Sequence, residues 1–282
     1  MKFSLLSTTV LAGSLLLAAC NGTEESSSTP QETKASINLQ AEVDAYKTFA
    51  LDQMDSFLLE TEKFVQAFLA GDIEKAKQLY PEARMFFERS EPIAESFGDL
   101  DPRIDGRLAD IEEEGKGKEE WTGYHKLEYA LWVENTTQGY EEVAKQLLAD
   151  TKELHALAQT VEVEPDLMIT GAVDLLNEVS TSKITGEEEI YSHTDLYDFK
   201  ANIEGAEKIF NILREQISEK DSELVKTLEE RFAAVNQLLA IHETAEGGYI
   251  SYEELTEEHT KALAEAVNQL GEPLSQMGII LE

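Results

Sequence analysis

"AYKTFALDQMDSFLLETEKFVQAFLAG", residues 45–71, decides the fold class. Its apolar residues Tyr46, Phe49, Met54, Phe57, Leu58, Val65, Phe68 and Leu69 recur at three- and four-residue steps. That is the period of a helix with one buried face, not the two-residue alternation of a strand. Gly71 stands where such a helix stops, because glycine readily takes the left-handed conformation that closes one.

The same period runs outward along the chain. Residues 72–98 read as one or two helices. Pro81 is placed to open one, since the first turn does not use its missing N–H. Pro92 predicts a kink or break near Ser90–Glu91. Residues 99–119 carry Asp, Pro and Gly in turn positions and read as irregular. A helix containing His125 follows, then helical units over 139–162 and 165–184. "TGEEEIYSHTD", 185–195, reads as a connector. Three further helices occupy 196–217, 221–243 and 252–281, with Asp221 and Ser222 as a cap. Only six prolines and sixteen glycines interrupt 282 residues, and no strand pattern is visible. Seven to nine helices with mostly short connections favour antiparallel neighbours. The expected architecture is all-α, two packed helical bundles over residues 41–282.

The start of the chain reads differently. "MKFSLLSTTVLAGSLLLAAC" has a basic Lys2 and an apolar run over residues 5–19, too short to span a bilayer and shaped like an export signal. "LLAAC" resembles a bacterial lipobox, which implies cleavage before Cys20 and lipid attachment to it. Cys20 is the only cysteine, so no intramolecular disulfide is possible. The Ser/Thr-rich residues after it, to about residue 40, lack aromatics and read as a flexible tether. The chain has 23 basic and 57 acidic residues, a net charge of −34. Such a surface repels nucleic acid and attracts cations. Solubility alone accounts for bulk charge of this kind, so the site must be sought in particular residues.

"WTGYHKLEYALW", 121–132, offers a candidate. His125 and Glu128 lie three positions apart and share a helix face with Trp132. Tyr124, Leu127 and Leu131 form the adjacent stripe and should be core. A half-buried imidazole and carboxylate need partners, either each other or a metal. Glu88 and Glu91 repeat the same offset upstream, with Glu95, Asp99, Asp101 and Asp105 beyond them. Two such pairs on facing helices would give oxygen-rich ligation with one nitrogen, which suits iron, manganese or zinc. The repeated Glu-x-x-His of di-iron bundles is absent from these stretches, so no ferritin-type centre is expected.

These residues carry a resemblance. "YHKLEYALW" resembles the GxHxxE signature of imelysin-like (peptidase M75) domains. "YPEARMFFERSEPIAESFGDLDPRIDGR" and "DLYDFKANIEGAEKIF" are similar to the corresponding blocks of the EfeO/EfeM family, extracytoplasmic iron-binding components of Efe-type uptake systems. The resemblance spans about residues 41–282. It implies two helical bundles with a metal site in the cleft between them. It implies metal roles for His125, Glu128, Glu88, Glu91, Asp105 and Glu204. The cargo would be Fe2+ or Fe3+, with Zn2+ or Mn2+ as competitors. The implied partners are a membrane permease and a haem peroxidase, with the lipid anchor keeping the protein near them. Longer family members carry an N-terminal cupredoxin domain, whereas a tether stands there here, so the short form is expected.

Two other readings compete. The M75 name suggests a metallopeptidase, but zinc peptidases use His-Glu-x-x-His. The nearest string, "HETAE" at 242–246, lacks the second histidine, and no catalytic triad is recognisable. An enzyme is therefore not expected. A polysaccharide-binding lipoprotein could stack sugars on Trp121, Tyr124 and Trp132, but so acidic a chain needs a bridging cation to bind an acidic polymer. His193 could cap the Glu204 helix or approach the site, and His155 and His259 read as helix surface or core edge.

Overall fold

The computed structural model describes residues 38–281, which form one compact unit. The export signal, Cys20 and the tether lie outside the described residues. No helix among the described residues is long and apolar enough to cross a membrane.

Among those residues the regular structure is helical. The α-helices are α1 (Gln40–Leu69), α2 (Ile73–Glu88), α3 (Glu91–Ala94), α4 (Leu100–Asp105), α5 (Leu108–Glu113), α6 (Gly123–Trp132), α7 (Glu141–Ala158), α8 (Pro165–Thr181), α9 (Asp195–Lys220), α10 (Ser222–Ala240) and α11 (Glu257–Leu281). α1, α2, α6 and α7 pack on one another, α8, α9, α10 and α11 form a second group, and α2 lies against α9 where the two meet. That is the expected pair of packed bundles.

The local signals explain most boundaries. α1 ends at Leu69 and Gly71 follows with φ +76°. Asp72 caps α2 by accepting from the Lys75 N–H. Asp221 caps α10 by accepting from the Glu223 and Leu224 N–H groups. α2 stops at Glu88, and Pro92 sits in the first turn of α3, so the break near Ser90 is where proline requires it.

Three boundaries differ from the sequence expectation. Pro81 lies inside α2 instead of opening a helix. The helix runs through it because Tyr80, Pro81, Ala83 and Phe87 are buried together, and packing outweighs one lost backbone hydrogen bond. Residues 99–119 wind into α4 and α5, since Pro102 falls in the first turn of α4, where it is tolerated. At the C-terminal end, Tyr252–Glu254 form a separate 3-10 turn, and the extended Leu255 delays α11 to Glu257.

Aromatic packing seats α6. Tyr124 stacks on Phe64 of α1 at 5.4 Å between centroids and meets Tyr80 of α2 edge-on at 5.6 Å. Its hydroxyl is 2.7 Å from Thr61 Oγ1. Each such ring pair contributes about 0.5–1.5 kcal/mol beyond area burial. His125, the next residue, is thereby fixed at the junction of the bundles.

Candidate metal centre

His125 and Glu128 are both buried, at 2% and 0% exposure. Gly123 brings them to their partners. It has φ +82°, and a Cβ there would run into the backbone carbonyl of Ile104. Only glycine allows the start of α6 to approach the end of α4 this closely. Trp121 Nε1 donates to the Gly106 carbonyl at 2.7 Å, and Thr122 Oγ1 donates to the Arg103 carbonyl at 2.9 Å. These contacts set Asp105, the last residue of α4, beside His125.

The connector supplies the rest. Residues 186–194 carry Glu188 and Glu189 to the imidazole. Glu128 Oε1 accepts from the N–H groups of Tyr191 at 2.9 Å and Ser192 at 2.7 Å. His193 N–H donates to the Glu189 carbonyl at 2.8 Å, closing a tight turn. Tyr252 ties the turn down from outside: its hydroxyl donates to the Ile184 carbonyl, and its N–H donates to the His193 carbonyl at 2.9 Å.

The imidazole then has two distinct nitrogens. Nδ1 lies 3.2 Å from Glu128 Oε2. Nε2 is buried with no hydrogen-bond partner, 3.7 Å from Asp105 Oδ1 and 3.9 Å from Glu188 Oε1. A carboxylate on one nitrogen orients the ring and leaves the other to face a metal. Asp105, His125 and Glu188 each offer one ligand atom within 4.8 Å of the others. Donors around one ion at about 2.0–2.2 Å lie about 3–3.5 Å apart, so a small contraction would close the set. The donor chemistry, two hard carboxylates and one imidazole, fits iron, manganese or zinc.

The charges around this set are compensated from within. Arg84, 1% exposed, donates to Glu88 Oε1 at 2.7 Å and to Asp105, and its Nε is 2.6 Å from Glu189 Oε1 and 3.4 Å from Asp198 Oδ1. Burial opposes the charge on His125, as does Arg84, yet Glu128, Asp105 and Glu189 carry its pKa up to about 9. Burial also works against the Glu188 carboxylate, but Lys183, His125, Arg84 and Arg107 bring it down to about 2. Glu189 moves the other way, to about 8, because burial and the nearby Glu128 outweigh Arg84 and His125.

Glu88 and Glu91 belong to a neighbouring group. With Glu178 they form a second set whose oxygens lie within 4.8 Å of one another. Asn202 Nδ2 donates to Glu88 Oε2 at 3.1 Å and to Glu91 Oε2 at 3.4 Å, and Lys183 Nζ lies 3.1 Å from both Glu88 Oε2 and Glu178 Oε2. Burial, followed by Glu178 and Glu88, raises the Glu91 pKa well above the ordinary carboxyl value.

Glu204 is not brought into either group. It accepts from Arg89 Nε at 2.6 Å, has Lys200 at 3.5 Å, and is one-third exposed. His193 pairs with Glu253 at 3.6 Å and His155 with Asp55 at 2.6 Å. "HETAE" begins two residues past the end of α10 and runs into a turn, so it does not set two ligands on one helix face. Trp121 and Tyr124 are core. The spacing did not point to Glu188, Glu189, Arg84 or Lys183.

Two clefts reach this region. One, of about 480 Å³, is lined by Leu108, Trp121, His125, Glu188, Ile190 and Tyr191, among others. The other, of about 340 Å³, is lined by Glu91, Asp101, Asp105, Glu178, Lys183 and Glu188, among others. Arg107 borders both, 3.6 Å from Glu188 Oε2. A larger groove of about 810 Å³ between α1 and α2 touches neither carboxylate group. The smaller clefts matter more, because residues of both carboxylate groups line them.

Residues 42–277 match the family model described as imelysin (peptidase M75). An "Efem/EfeO family lipoprotein" of Staphylococcus haemolyticus (strain JCSC1435) is 52% identical over 288 residues, covering 98% of this chain and 99% of that protein. A protein of the same description from Staphylococcus aureus (strain MSSA476) is 55% identical over 239 residues, covering 84% of each.

Proposed function

The chain belongs to the imelysin family, and from that premise we propose that it is the extracytoplasmic iron-binding lipoprotein of an Efe-type uptake system. It captures Fe2+ or Fe3+ at His125, Asp105 and Glu188 and passes the ion to a membrane permease working with a haem peroxidase. Zn2+ and Mn2+ compete for the same donors. Lipidated Cys20 and the tether keep the domain near the membrane, which raises its effective concentration at the permease.

One observation carries this reading: His125 Nε2 is buried, without a hydrogen-bond partner, and faces two carboxylates. Glu128 is assigned the orienting role, since one of its oxygens meets Nδ1 while the other accepts two backbone N–H groups. Glu189 stands behind the ring, 3.9 Å from Nδ1. Asp105 and Glu188 supply the hard oxygens. Glu88, Glu91 and Glu178 set the surrounding charge. The relatives' description as Efem/EfeO family lipoproteins supports placing this chain at a membrane.

The test is anaerobic calorimetric titration of the purified protein with ferrous ion. We expect about one ion per chain and a loss of at least about 100-fold in affinity for His125→Ala, because the only nitrogen donor of the set is removed. Unchanged affinity in that variant would overturn the assignment.

A further inference from the structure

Lys183 opens the 3-10 turn Lys183–Thr185, between α8 and the connector that carries Glu188. Its residue is 1% exposed. The ammonium lies 3.1 Å from Glu88 Oε2, 3.1 Å from Glu178 Oε2 and 3.9 Å from Glu188 Oε1. A buried ammonium is costly unless carboxylates surround it. Burial works against its charge, but Glu188, Glu88 and Glu178 raise its pKa well above the ordinary lysine value.

The same Glu188 Oε1 lies 3.9 Å from His125 Nε2. An ammonium at Lys183 and a metal ion at His125 therefore share one carboxylate oxygen. Like charges in a buried setting repel far more than they do in water. Lys183 borders the 340 Å³ cleft, and its four-carbon stem is flexible, so it has somewhere to go. Arg84 has no such exit. It sits in mid-α2 with its guanidinium 5.9 Å and 5.8 Å from the rings of Tyr80 and Tyr124, and it borders neither cleft.

We propose that Lys183 is a displaceable counter-cation: its ammonium neutralises Glu88, Glu178 and Glu188 in the iron-free protein and swings into the adjoining cleft when iron binds at His125, Asp105 and Glu188. This rests on the reading of the His125 group as the iron site. The exchange weakens iron binding, and it lets the ammonium return as the ion leaves, so the carboxylates are not left uncompensated at transfer.

The experiment is anaerobic calorimetry with ferrous ion alone, together with thermal unfolding of the iron-free protein, for the wild type and Lys183→Met. The expected result is opposite movement: affinity at least about tenfold tighter and a lower iron-free melting temperature. A lysine with a purely structural role would weaken both. Wild-type binding with unchanged or weaker affinity in Lys183→Met overturns the counter-cation. Absence of binding by the wild type overturns the iron site itself, and this proposal with it.

A second measurement needs no variant. Wild-type protein is acetylated with an N-hydroxysuccinimide ester, with and without ferrous ion, and Lys183 labelling is read by peptide mass spectrometry. Iron should raise labelling at Lys183 several-fold. Equal or lower labelling with iron overturns the proposal.

Discussion

Two carboxylate groups lie side by side at the junction of the bundles, and they differ in what stands among them. Around His125, Asp105 and Glu188 face a ring nitrogen with no hydrogen-bond partner. Among Glu88, Glu91 and Glu178, Lys183 Nζ and Asn202 Nδ2 already stand within hydrogen-bonding distance of the carboxylates. Counting acids does not separate the two. Internal satisfaction does: the first group has a donor atom to spare and the second is closed by the protein's own cation.

The largest effect should come from the arginine that serves both groups. Arg84→Met leaves Glu88, Asp105, Glu189 and Asp198 without their shared guanidinium. Removing one partner from a buried ion pair costs about 3–5 kcal/mol. Urea unfolding of the iron-free protein should show that loss, and a change below about 1 kcal/mol would mean that the acids are compensated in another way.

Next comes the orienting carboxylate. Glu128→Gln keeps the shape but loses the anion facing Nδ1, and changes of this kind typically cost about 10–100-fold in metal affinity. Direct loss of a ligand, as in His125→Ala, should exceed it. If Glu128→Gln proves as severe as His125→Ala, Glu128 is itself a ligand and the division of roles between its two oxygens is wrong.

Proton competition gives a smaller, graded effect. His125 titrates near 9 in the fold, so the ion must displace a proton at neutral pH. Iron affinity should rise by up to about tenfold per pH unit as pH increases from 6 to 8, measured in buffers that do not bind metal. The iron-free protein should move the other way. His125 near 9, Glu189 near 8 and Glu88 near 7 all retain protons that the unfolded chain releases at lower pH. Their contribution is full below the unfolded values and is lost as pH rises through the folded ones. The melting temperature without iron should therefore fall between pH 6 and 9. Glu188, near 2, has the opposite sign but acts only below about pH 4.5. A flat melting curve across pH 6–9 would contradict this charge arrangement.

The smallest effects should fall on the second group and beyond it. Glu91→Gln should change iron affinity by less than about threefold, because its carboxyl already carries a strongly raised pKa. Glu204→Gln should leave it unchanged, since that side chain is engaged by Arg89 and Lys200. A tenfold loss from either would merge the two groups into one site.

The helices were legible because a buried face repeats every three or four residues, as in Tyr46, Met54, Phe57 and Phe68. The His125–Glu128 pair was legible for the same reason: spacing alone puts both on one face. Glu188 and Glu189 were not, because a charged stretch between helices reads as solvated, and only the fold turns these two residues of "GEEEIYS" inward. Arg84 left a faint signal. It sits four residues from both Tyr80 and Glu88, on the buried side of α2, yet an arginine in an amphipathic helix ordinarily lies in water. Lys183 left none, since its partners come from α2, α8 and the connector. Periodicity reports which face is buried, and it does not report which charges meet across the junction.

Diffraction from crystals of the iron-loaded protein, recorded on both sides of the iron absorption edge, tests the central claim most directly. We expect one anomalous peak, within ligand distance of His125 Nε2 and of oxygens from Asp105 and Glu188. A peak among Glu88, Glu91 and Glu178 with no contact to His125 would contradict it.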